Sequence, residues 1–161
     1  MDARFNLFAN EIALKFGKRF ANAAQAIDQS PLPRTTRTLV EIRASQINGC
    51  GFCTDMHTKD AAAAGETPVR LNLVAAWREA TVFTEAERAA LALAEEGTRL
   101  ADAHHGVSED TWDQVRGHYD DDQIAALVCL VALINAANRI NVIVRNPAGT
   151  YEPGMFASMT S

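Results

Sequence analysis

Apolar residues recur at helical spacing along most of the chain, and the interruptions between them are short and polar. Phe5, Phe8, Ile12, Phe16 and Phe20 follow one another at three- to four-residue steps, which predicts a first helix over about 6–27, ended by Ser30-Pro31-Leu32-Pro33. A second helix is expected over 34–47, with Leu39, Ile42 and Ile47 among its apolar positions and Asn48-Gly49 as its stop. A third covers about 50–64, an alanine-rich run closed by Gly65. Gly65-Glu66-Thr67-Pro68 then turns the chain into a short fourth helix near 69–77. Thr84-Glu85-Ala86-Glu87 sets a hydroxyl and a carboxylate three apart ahead of an apolar run, the form of a capping box, and opens a fifth helix reaching about 100. Ser108 caps a sixth, ending near 117. The last long helix starts in Asp120-Asp121-Asp122 and continues to about 145, before Asn146-Pro147-Ala148-Gly149. Its stretch 124–134 is apolar on every side, the pattern of a helix buried all round, either at the centre of the domain or against another subunit.

Composition sharpens this into a fold class. Alanine is abundant, aromatics and prolines are few, and no long run of Val, Ile and Thr reads as a strand. The expectation is an all-α, compact bundle of about seven helices, one domain over 1–161. The net charge of −5 argues against nucleic acid as a partner, because phosphate binding needs a basic patch. The apolar run 124–134 is shorter than the roughly 20 residues of a membrane span, so no membrane partner is expected. Met1-Asp2-Ala3-Arg4 opens no apolar signal core, which reads as cytoplasmic. The apolar faces exceed what one small subunit hides, so a homo-oligomer is expected, with the first and last helices as contacts. Cys129, inside the apolar run, reads as a small buried hydrophobe.

Candidate chemistry gathers in Cys50-Gly51-Phe52-Cys53, followed by His57. On a helix, residues three and four apart are neighbours, so Cys50, Cys53 and His57 fall on one face. The free N–H groups and partial positive charge of a first turn favour thiolate over thiol. An activated sulfur, a second sulfur able to trap it and a nearby base make a redox dithiol. Two other readings stand beside it. Cys50, Cys53 and His57 could be zinc ligands, with a fourth from His104, His105, His118 or Cys129, although no second CxxC is present. They could also be inert neighbours. His104-His105 falls in a polar loop before Gly106 and reads as exposed, and Trp77 and Trp112 read as core. Asn135, Asn138 and Arg139 follow the apolar run and suit the site, a subunit contact or the helix end.

Ser45-Gln46-Ile47-Asn48-Gly49-Cys50, Cys53 and Asp55-Met56-His57 resemble the core motif of the alkylhydroperoxidase D-like proteins of the carboxymuconolactone decarboxylase superfamily. Ala76-Trp77-Arg78-Glu79, Phe83-Thr84-Glu85, Leu133-Ile134-Asn135 and Asn138-Arg139 extend the likeness over roughly 33–151. The resemblance implies all-α, single-domain subunits in ring-like homo-oligomers, commonly trimers or hexamers; no cofactor or metal is expected. It also implies a thiol-dependent peroxidase. Cys53 would attack an organic hydroperoxide and become a sulfenic acid, Cys50 would condense with it, His57 would act as the base, and an external dithiol would reduce the disulfide. The family's relay glutamate falls at Thr38 here; Glu41, one turn later and about 60° round, could replace it or be a solvated surface carboxylate. The alternatives are a general dithiol–disulfide oxidoreductase, or a non-catalytic, zinc-binding oligomeric module. The superfamily's lactone decarboxylases are a further alternative, but they lack the CxxC pair.

Overall fold

Helix boundaries in this protein are set largely by short polar side chains that hold the free N–H groups of a first turn. The computed structural model describes residues 2–102 and 105–155. In it, α1 spans Glu11–Asp28, and its cap Asn10 accepts from the N–H groups of Ile12 and Ala13. That cap starts the helix later than the aromatic spacing suggests: Leu7–Ala9 forms a separate 3-10 turn, and Phe5 lies ahead of it. α2 spans Arg34–Ile47, directly after Pro33. α3 spans Gly51–Ala63 with Cys50 as its cap, and α4 spans Pro68–Leu73 with Thr67 as its cap. α4 runs on as a 3-10 segment, Val74–Glu79, kinked at Ala76. α5, Glu85–Thr98, opens on the reciprocal Thr84–Glu87 capping box, and α6, Glu109–His118, opens on Ser108. α7, Asp121–Val144, is opened by a second box between Asp120 and Gln123 and ended by Arg145 in the left-handed conformation. Among the described residues the elements are all helical and no strand occurs.

α2 lies at the centre and packs against α3, α5 and α7. Its two sides feed two apolar clusters. Val40 faces one with Ile27, Leu32, Leu93, Leu127 and Leu130, while Leu39 and Ile42 face the other with Val74, Trp77, Phe83 and Leu91. Full burial of each such side chain contributes roughly 1.5–3 kcal/mol, which is what fixes the tilt of α2 and therefore the site at its C-terminal end. Between the clusters, buried Glu95 accepts from Arg43 Nε at 2.7 Å and Trp77 Nε1 at 3.0 Å, and pairs with Arg78 at 2.8 Å. Burial alone would raise the Glu95 pKa; the bonds from Trp77 and Arg43 outweigh it and hold the carboxyl below its ordinary value.

α7 is buried along one side only. Ile124, Leu127, Leu130, Val131 and Ile134 enter the core, whereas Val128 and Ile143 stand exposed. Cys129 is exposed too, and not the buried hydrophobe its apolar neighbours suggest. The reason is geometric: the run is apolar all round, but the rest of the chain supplies neighbours for one face of the helix. α7 is long and apolar enough by length and composition to cross a membrane, yet here its inner face is core and its second half carries Asn135, Asn138 and Asn141. α1 is in the same position as the outer face of α7, with Ile12 78% and Phe16 52% exposed. His105 lies exposed in the turn before Gly106, and His104 lies outside the described residues. Trp77 is buried and Trp112 packs against the core.

Candidate active site

The C-terminus of α2 delivers the cysteines. Asn48 ends the helix, Gly49 turns the chain with φ of 66°, and the Cys50 N–H bonds back to Ser45 O at 3.0 Å. Cys50 then caps α3, its Sγ accepting from the Cys53 N–H at 3.2 Å. A disulfide joins Cys50 and Cys53, whose Cα atoms are 5.4 Å apart. Each cysteine is 1% exposed.

One turn further along α3 is His57, whose Nδ1 lies 3.3 Å from Glu41 Oε2 on α2. Burial would lower the imidazole pKa; the charge and hydrogen bond of Glu41, with the charge of Asp60, outweigh it and hold His57 above its ordinary value. Glu41 is thus a partly buried partner of the histidine rather than a solvated surface carboxylate. Thr38, at the position where the resemblance expects the relay acid, is turned to other work. Its Oγ1 donates to Arg34 O at 3.0 Å, and it lines a separate cleft of about 380 Å³ with Arg70, Glu66 and Glu87. The structure therefore brings together all four residues singled out from the sequence: Cys50 and Cys53 in one turn, His57 in the next, and Glu41 across from it.

An amide ladder locks α2 to α7 behind the site. Asn48 Nδ2 donates to Asn135 Oδ1 at 2.9 Å and to Asn138 Oδ1 at 2.8 Å. Asn138 Nδ2 donates to Ser45 Oγ at 3.0 Å, and Asn135 Nδ2 to Thr98 Oγ1 at 3.0 Å. Arg139 Nη1 donates to Asn135 O at 3.1 Å. Asn135 and Asn138 are buried mid-helix, so their role is this ladder and not a helix end. Buried polar groups satisfied in this way fix one packing of the two helices.

Two further residues had no signal in the sequence. Asn141 Nδ2 lies 3.5 Å from Cys53 Sγ, and its Oδ1 accepts from Asn146 Nδ2 at 2.6 Å. Asn141, Arg145, Asn146, Pro147 and Ala148 wall a cleft of about 360 Å³ that opens onto Cys50, Gly51 and Phe52. Beyond it the chain straps back along α3. Asp55 Oδ2 accepts from the Gly149 N–H at 2.8 Å, Lys59 Nζ donates to Tyr151 O at 2.8 Å, and the Tyr151 hydroxyl donates to Asp60 Oδ1 at 2.9 Å. Among the described residues, no group of three or more His, Cys, Asp and Glu is placed to hold a metal ion. Cys129 faces outward on α7.

Against known proteins, the pattern of the Carboxymuconolactone decarboxylase family matches residues 15–96. The uncharacterised protein YdfG of Bacillus subtilis is 40% identical over 140 residues, which cover 87% of this chain and 94% of that protein. A crystal structure from Agrobacterium tumefaciens, of a protein of unknown function proposed to be the antioxidant defence protein AhpD, superposes with TM-score 0.84 at 32% identity. The match covers 93% of this chain and all of that one (100%). The apo debrominase Bmp8 shares the fold, with TM-score 0.74 at 17% identity over 86% of this chain and 75% of its own.

Proposed function

The chain belongs to the carboxymuconolactone decarboxylase family, and on that footing we propose that it is a thiol-dependent peroxidase acting on organic hydroperoxides. The observation that carries this reading is a Cys50–Cys53 disulfide at the start of α3, one turn from a histidine held by a carboxylate. In the reduced protein, His57 takes the Cys53 proton, and Glu41 stabilises the resulting imidazolium. The Cys53 thiolate attacks a peroxide oxygen, the O–O bond breaks, and the alkoxide leaves with the proton held at His57. Cys53 is now a sulfenic acid. The Cys50 thiol attacks its sulfur, forming the disulfide and releasing water. An external dithiol then reduces the disulfide and is itself oxidised. Cys53 is assigned the attack because it is the i+4 neighbour of His57, whereas Cys50 is two turns away.

The test is consumption of cumene hydroperoxide with dithiothreitol as reductant. Wild type turns over and Cys53→Ser does not; with the reductant left out, Cys50→Ser consumes one equivalent and stops as the sulfenic acid. Equal activity in wild type and Cys53→Ser overturns the reading. One observation favours a second reading, a general dithiol–disulfide oxidoreductase. The 360 Å³ cleft is lined by Cys50 and not by Cys53, so an incoming thiol would come upon Cys50 first. Rapid reduction of a disulfide substrate without peroxide turnover would select it.

The proposal includes a cytoplasmic setting, where thiol reductants are at hand, and a homo-oligomer, a trimer or hexamer. Its occupant for the exposed apolar faces of α1 and α7 is a second copy of this chain, because the two helices pack side by side and leave Ile12, Phe16, Val128 and Ile143 uncovered. Light scattering that reports a 17.5 kDa particle at micromolar concentration refutes it.

A further inference from the structure

We propose that Asn141 is a catalytic residue of the dithiol, the donor that stabilises Cys53 as a thiolate. The inference rests on reading Cys53 as the nucleophilic sulfur, but it concerns the thiol and not the oxidant.

Asn141 stands in the last turn of α7, 88 residues along the chain from Cys53, with Nδ2 at 3.5 Å from its sulfur. Its carboxamide is held in one orientation. Oδ1 accepts from Asn146 Nδ2 at 2.6 Å, and Nδ2 also donates to Ala137 O at 2.9 Å. With Oδ1 engaged and one N–H given to the Ala137 carbonyl, the second N–H is the group that meets the sulfur. Cys53 is 1% exposed, and its own backbone N–H is turned to Cys50 Sγ. A buried thiolate is costly without donors, and a hydrogen bond to the charged form lowers the pKa of the group that carries it. In the disulfide this contact is weak, because a bridging sulfur is a poor acceptor. On the thiolate it becomes charge-assisted.

The same donor serves both halves of the cycle. In the oxidative half it raises the fraction of Cys53 ready to attack. In the reductive half, a thiol would approach Cys50 by way of the cleft that Asn141 and Cys50 both line. The incoming thiolate bonds to Cys50 Sγ, the Cys50–Cys53 bond breaks, and its electron pair leaves on Cys53 Sγ beside Asn141. A second thiol of the same reductant then releases Cys50 and closes the reductant's own disulfide. A leaving thiolate of lower pKa leaves faster.

Two readouts test this without any peroxide. The thiols of the reduced protein are titrated by ultraviolet thiolate absorbance, and the rate of disulfide reduction by dithiothreitol is followed at fixed pH. Asn141→Ala raises the lowest thiol midpoint by about one unit, the scale of one charge-assisted hydrogen bond, and slows reduction several-fold. Asn141→Asp keeps the acceptor for Asn146 but sets an oxygen against the sulfur, and raises the midpoint further. Asn146→Ala frees the carboxamide and gives a smaller shift in the same direction. Circular dichroism identifies the variants that keep the fold. Unchanged midpoints and reduction rates in folded Asn141→Ala and Asn141→Asp overturn the proposal. A shifted midpoint in a protein that ignores hydroperoxides leaves Asn141 in place and removes only the peroxidase reading.

Discussion

Replacing Glu41 by glutamine tests whether the carboxylate drives the chemistry at His57. The substitution keeps the shape and one acceptor oxygen, and removes the negative charge 3.3 Å from Nδ1. The two side chains are 14% and 26% exposed, so water screens the pair only in part. A hydrogen bond to a charged group contributes roughly 1.5–3 kcal/mol, and about 1.4 kcal/mol is tenfold in rate. Glu41→Gln therefore slows hydroperoxide turnover about ten- to a hundred-fold. The same change carries a pH signature. Glu41 holds the His57 pKa above its ordinary value, so the pair contributes stability that is present below the unfolded-state histidine pKa and lost as pH rises through the folded one. Urea melts of wild type and Glu41→Gln should differ most between about pH 5 and 6.5 and converge at alkaline pH. Thr38→Glu gains nothing, because Nδ1 already has its carboxylate and position 38 lines a separate cleft. An unchanged rate in Glu41→Gln, with a stability difference independent of pH, refutes the relay.

Glu95→Gln leaves Arg43 as a buried charge without its carboxylate, and should cost about 3–5 kcal/mol in urea denaturation. Because the Glu95 pKa is held below its ordinary value, wild type carries this stability above that ordinary value and loses it as pH falls through the folded one. At Gly97 an added Cβ would lie 2.9 Å from Val131 Cγ1, so Gly97→Ala forces α5 and α7 apart and should destabilise by about 1–3 kcal/mol, with relief from Val131→Ala. Cys129 should be alkylated by iodoacetamide in the folded, dilute protein and shielded as concentration rises, since it shares the outer face of α7 with Val128. Labelling independent of concentration would count against a contact between copies on this face.

The residues that spoke plainly in the sequence are those whose partners lie within a turn. Pro33 and Asn48-Gly49 bracket α2 so tightly that its ends follow from composition, and Thr84 and Glu87 cap α5 by a local reciprocal bond. Cys50, Cys53 and His57 are legible for the same reason, as steps of three and four on one helix. α1 was harder, because Phe5 and Phe8 continue its period across Asn10, whose cap decides the start. Contacts between distant segments left no trace. Nothing local distinguishes Glu41 as the partner of His57 from a surface acid, or marks Asn141 as the neighbour of a sulfur. The exposure of Cys129 was hidden by its surroundings, since an apolar run carries no polar residue to mark its outer side.

Cys50 caps α3 and Cys53 lies in its first turn, with Cα atoms 5.4 Å apart in the oxidised form. That is already close to the ordinary spacing of residues three apart on any helix, so making or breaking the bond asks little of the backbone. Oxidation here sends no mechanical message. A protein built this way is poorly suited to report the redox state of its surroundings to a distant surface or a bound regulator. A dithiol carried in this way closes and opens with little rearrangement of the first turn of α3.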